Sequence, residues 1–147
     1  MRKLFLIAGM ALLISSCSSI RQPLYSWGYK SYSDEATRYE AMLYNFYHNQ
    51  TPESLCALLC QYQTMIGNPG GQRKVVPPGI YAEFGYLLLS PDAAQIFEAH
   101  ATDKQKSKLN IPTSSFRDKG MEMLNHEMEL YPESTVFLTP IIKTLSK

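Results

Sequence analysis

Apolar residues recur at steps of three and four along most of this chain, and proline, glycine and serine punctuate the runs. Ala36, Tyr39, Leu43 and Phe46 share one helical face and predict a helix over 34–48. Ser31 or Ser33 is placed to cap it, and Asp34 and Glu35 face the positive end of its dipole. Thr51-Pro52-Glu53 then reads as an N-cap, a proline at the first helical position and an early acid. The helix it opens, over 52–66, carries Leu55, Leu58, Leu59, Tyr62 and Ile66 as its inner stripe. So short a connection makes the two helices antiparallel. Gly67 to Lys74 is a solvated loop by composition. Pro77-Pro78-Gly79 stops the chain again before a helix over 80–89, where Ala82 and Gly85 sit three apart among large apolar residues. That is the pattern of an inner helix that neighbours approach closely.

Downstream the pattern thins and then recovers. Ser90 caps a predicted helix over 91–106 with only Ala94, Phe97 and Ala101 on its apolar side. A polar stretch broken at Pro112 leads to a firm helix over 116–130. Pro132 starts the last one, with Val136, Phe137, Ile141 and Leu145 on its stripe and Pro140 as a kink or restart. The expectation is an all-α domain of about five or six helices.

Spacing adds an internal relation. Pro-Glu-Ser occurs at Pro52 and at Pro132, and Tyr44, Tyr47 and Pro52 keep the same mutual spacing as Leu124, Glu127 and Pro132. A small residue, an aromatic or large residue four later and a closing proline form the second half of a tetratricopeptide repeat, with Gly120 as the small residue. Tyr81, Phe84, Gly85 and Leu88 fit the first half, the glycine marking a tight helix crossing. Tetratricopeptide-like antiparallel hairpins are therefore expected, with Gly85, Gly120, Glu127 and Pro132 in structural roles. Tyr81 to Pro132 spans 51 positions against roughly 28 in a regular repeat. About twenty residues near 90–114 are thus inserted in the second hairpin.

The N-terminus changes the picture most. Arg2 and Lys3 precede an apolar run from Leu4 to Ile14, too short to span a bilayer, and Ser15-Ser16-Cys17 follows. This is an export signal, and Ile14-Ser15-Ser16-Cys17 resembles the lipobox of bacterial lipoproteins. That resemblance implies a cut before Cys17 and a covalent lipid on it. The expected organisation is a signal peptide over 1–16, a lipidated tether over 17–23 and one helical domain over 24–147. Ser18 in place of an aspartate favours the outer membrane, facing the periplasm. Removing residues 1–16 from 147 leaves 131, with 12 basic against 13 acidic residues, and so a net charge of −1. That balance argues against a nucleic-acid partner.

Three further stretches carry a family resemblance: Leu24 to Gly28 with Tyr29 following, Pro77 to Leu87, and Glu127 to Ser134. With these the chain resembles a family of small bacterial outer-membrane lipoproteins classed as a domain of unknown function. Its central motif is Pro-Pro-Gly-x-Tyr-Ala-Glu-x-Gly-Tyr-Leu. The resemblance implies an accessory role in an outer-membrane assembly, with a protein partner similar to the curli-secretion channel lipoprotein, and it carries over no enzyme activity.

Candidate chemistry is sparse. Cys56 and Cys60 share a helical face, but zinc needs two more ligands and His48, His100 and His126 show no matching spacing. No metal or cofactor is expected beyond the lipid on Cys17. Glu127 lies on or beside the apolar stripe of its helix, so it needs a bond to a tyrosine or to backbone at a helix end. Glu83 raises the same question. Trp27 with its neighbours reads either as a cap across the helical stack or as a partner or carbohydrate contact. The candidate partner-binding surface is Trp27, Tyr29, Tyr81, Glu83 and Tyr86. The expected function is a non-enzymatic adaptor or assembly factor; a cell-wall glycan or peptide binder is the alternative, and a hydrolase comes third.

Overall fold

The structure, a computed structural model, describes residues 23–28 and 35–145. The signal peptide, Cys17, Tyr29, the caps at Ser31 or Ser33, Asp34 and the side chains of Glu35 and Ala36 lie outside the described residues. Within them, 74% of residues are helical and none lie in strands. Seven α-helices follow in order among the described residues: α1 (Glu35–Asn49), α2 (Pro52–Gly67), α3 (Ile80–Leu88), α4 (Ala93–His100), α5 (Asp103–Leu109), α6 (Phe116–Leu130) and α7 (Thr135–Leu145). Short 3₁₀ turns at Thr113–Ser115 and Pro132–Ser134 lead into α6 and α7. No helix among the described residues is long and apolar enough to cross a membrane.

The hub of the packing is α2, against which α1, α3, α4 and α5 all lie. Its stripe is wide because Leu55, Cys56, Leu58, Leu59, Cys60, Tyr62 and Met65 are all buried, which only a helix covered on several sides requires. Thr51 caps it by accepting the Ser54 N–H at 3.2 Å, with Pro52 in the first turn. The 80–89 helix is inner, as its composition suggests, but it is a bridge: α3 joins α2 on one side to α6 on the other.

At the α3–α6 crossing the backbones nearly touch. A Cβ on Gly85 would stand 2.7 Å from the Gly120 carbonyl oxygen, and one on Gly120 would stand 2.8 Å from the Gly85 carbonyl oxygen and 2.6 Å from Leu89 Cγ. The two halves of the spaced repeat pattern are therefore neighbours in space although more than twenty residues separate them in sequence.

The inserted stretch packs against the body. Ala93, Phe97 and Leu109 are buried in the main core, and the Phe97 ring meets Phe116 with centroids 5.7 Å apart. One helix over 91–106 is corrected to two, α4 and α5. The chain turns extended at Ala101, and Thr102 opens α5 with a capping box: its side chain accepts the Gln105 N–H while the Gln105 side chain accepts the Thr102 N–H. The last helix also differs. Leu138 is buried while Val136 and Phe137 are about three-quarters exposed. The helix begins only at Thr135, after the Pro132–Ser134 turn; Leu138, Ile141 and Leu145 form its inward face, and it continues through Pro140 without restarting.

Candidate functional site

Two carboxylates organise the region where α1, α3, α6 and α7 meet. The first, Glu83 on α3, takes the hydroxyls of Tyr39 on α1 at 2.7 Å and Tyr62 on α2 at 2.5 Å on the same oxygen, Oε2. The two hydroxyls lie 3.4 Å apart. Burial, the Glu83 charge and the bonds to Glu83 hold both phenols well above their ordinary range; Tyr39 is the partial exception, since its contact with Tyr62 works the other way. Both tyrosines therefore keep their protons and serve as donors. Trp27 closes this cluster from outside: its ring stacks on Tyr39 at 5.2 Å, and its carbonyl accepts from Gln61 Nε2 at 2.6 Å. The segment 23–28 is thus a cap, held further by the Gln72 and Arg73 N–H groups, which donate to the Pro23 and Leu24 carbonyls.

The second carboxylate, Glu127 on α6, is 2% exposed. Its Oε1 accepts the Gly79 N–H at 2.7 Å, and its Oε2 has no hydrogen-bond partner among the described residues. Gly79 is the N-cap of α3 and has φ +87°, a left-handed conformation suited to glycine, with no side chain to satisfy the first turn. Glu127 supplies from another helix the acceptor that a serine or aspartate cap would otherwise bring. Burial is the largest influence and raises its pKa; the backbone N–H groups of Gly79, Ala82 and Tyr81 act in the opposite direction. The Tyr131 hydroxyl donates to the Val76 carbonyl, tying the end of α6 to the same Pro-Pro-Gly entry.

Beside Glu83 a groove opens. Tyr47, Ala82, Glu83, Tyr86, Leu124, Leu138 and Ile141 line a cavity of about 180 Å³. Tyr86 and Ile141 also line a second cavity of about 370 Å³ that continues along α7 with Pro140, Thr144 and Leu145. The walls are mostly apolar. Tyr47 and Tyr86 are more than half exposed at its mouth, and Tyr47 is close enough to Glu83 for burial and that charge to raise its pKa.

Of the surface residues anticipated above, Glu83 and Tyr86 line this groove. Tyr81 does not: it is 8% exposed and packs edge-on against His126 at 4.6 Å, so its assignment to a contact surface is corrected to a core role. Trp27 is half-buried under its own stacking contact. Tyr47, Leu124, Leu138 and Ile141 are groove residues that sequence reading did not assign; the tyrosine stood out only as part of the repeat spacing. Pro132 is exposed and opens the turn before α7.

The cysteines sit elsewhere. Cys56 and Cys60 are buried free thiols, with the Cys60 thiol pushed up to about 11 by burial. Among the described residues no group of three or more potential ligands is placed to hold a metal. A further cavity of about 250 Å³ at the insertion contains Glu98, Lys106 and Thr113. There Glu98 already pairs with Lys106 at 3.1 Å and accepts from Thr113 at 3.3 Å. No family model, curated protein or solved structure matches this chain.

Proposed function

We propose that the chain is a non-enzymatic, lipid-anchored adaptor or assembly factor on the periplasmic face of the outer membrane, holding a protein partner in the groove beside Glu83. The observation that carries the binding half of this reading is the groove itself: two mostly apolar cavities that share Tyr86 and Ile141 in their walls, with Tyr47 and Tyr86 more than half exposed. Exposed tyrosines beside apolar pockets are favoured anchors of protein contacts. The anchoring half rests on Arg2, Lys3, the apolar run after them and Ile14-Ser15-Ser16-Cys17. Several acyl chains on Cys17, each contributing about 0.8 kcal/mol per buried CH₂, hold a protein on a membrane effectively permanently. The partner proposed is a channel-forming lipoprotein similar to that of curli secretion.

Cys17→Ala tests the anchor: the variant is expected to carry no lipid and to be either uncut or soluble, and a cut, membrane-bound product like that of the wild type contradicts the reading. Affinity purification of the lipidated protein tests the partner. Recovery of the channel-like lipoprotein with the wild-type chain, and its loss with Tyr86→Ala, is the expected result. Sedimentation with purified peptidoglycan in the absence of any protein partner would favour a cell-wall binder instead.

A further inference from the structure

Among the described residues the groove carries one charged side chain: Glu83 is the carboxylate lining its inner cavity, and no described lysine or arginine lines either part. Among the described residues no salt bridge reaches Glu83. Its Oε2 is shared by two neutral hydroxyls. A carboxylate in a mostly apolar recess, held by donors that bring no positive charge, has no counter-ion among the described residues, and such a group favours a cationic partner. Tyr47 and Tyr86 add two ring systems to the same wall, and the faces of such rings attract cations.

We propose that this recess takes a lysine or arginine side chain of a protein partner, with Glu83 as its counter-ion. The inference rests on the adaptor reading above and specifies what the adaptor recognises. A basic side chain has the right construction. Its apolar stem lies along Leu124, Leu138 and Ile141 while its charged end reaches the carboxylate. The adjoining cavity along α7, walled by Pro140, Ile141 and Leu145, receives apolar residues next to it in the partner chain.

The test uses the full-length lipidated protein in detergent micelles and two immobilised peptide arrays. One array carries a central lysine flanked by varied apolar residues; the other is identical except for norleucine at the centre. At low ionic strength the lysine array is expected to retain at least tenfold more protein. Glu83→Gln should bring the two arrays level, and Tyr86→Ala should weaken lysine-array binding about tenfold. Because Glu83 also bonds Tyr39 and Tyr62, the Gln variant is compared by thermal unfolding, and the exposed Tyr86 provides a variant that leaves the core intact. Equal retention on both arrays, lost in Tyr86→Ala, overturns the basic side chain and leaves the adaptor reading standing. Retention on neither array overturns the inference as well, and the adaptor reading is then decided by partner recovery with Tyr86→Ala.

Discussion

Glu127 shows how one side chain can join two distant helices. It lies 48 residues from the Gly79 N–H it accepts, and that contact starts α3 where no local cap exists. Its raised pKa fixes a sign for pH dependence. An acid whose pKa is higher in the folded chain than the unfolded value of about 4.3 binds more protons when folded. It stabilises the fold below the unfolded value, and that contribution is lost as pH rises through the folded one. Denaturant unfolding from pH 3 to 8 should therefore show the stability of the wild type, minus that of Glu127→Gln, falling as pH rises above about 4 and then levelling. A difference that grows with pH would mean that the cap contacts outweigh burial. Gly85 makes a second prediction at this scale. Alanine is the better helix former by roughly 1 kcal/mol, yet its Cβ would press on the Gly120 carbonyl at 2.7 Å. Backbone there cannot yield as a flexible side chain does, so Gly85→Ala is expected to lose about 1–3 kcal/mol in equilibrium unfolding.

At the scale of elements, the insertion is part of the core. Phe97 is 2% exposed between α2 and Phe116, so Phe97→Ala should cost about 3–5 kcal/mol in chemical denaturation. A loss under 1 kcal/mol would mean that α4 is peripheral. How far these elements could be read from sequence follows from where their determinants lie. The spans of α1, α2, α3 and α6 agree with the periodic pattern to within a residue or so, because each has a strong stripe and a local stop: Thr51-Pro52, Pro77-Pro78-Gly79, Ser90-Pro91 or Pro132. The split between α4 and α5 was legible too, since Thr102 and Gln105 stand at capping-box spacing. The weak apolar content on either side gives no change of stripe to mark the boundary. The face of α7 was not legible, because apolar residues lie on both of its sides and packing on α6 decides which side is buried. Nor could any local pattern pair Glu83 with Tyr39 and Tyr62, 44 and 21 residues away, or assemble Tyr47, Leu124 and Leu138 into one groove. Those are products of packing.

At the scale of the whole molecule, the helices divide the labour. The buried face of α2 gathers α1, α3, α4 and α5 into a core, while α6 is added through α3 and α7 through α6, leaving a groove beside α3. A lipid on Cys17 would set such a body at the membrane surface with a receptive face, which is the arrangement an adaptor needs. The most direct measurement places a photo-crosslinking amino acid at position 86 in living cells, with the same substitution at the exposed Gln95 of α4 as the control. The account predicts a discrete crosslink to an outer-membrane lipoprotein from position 86 and none from position 95. No crosslink from position 86, or the same product from both positions, would contradict it.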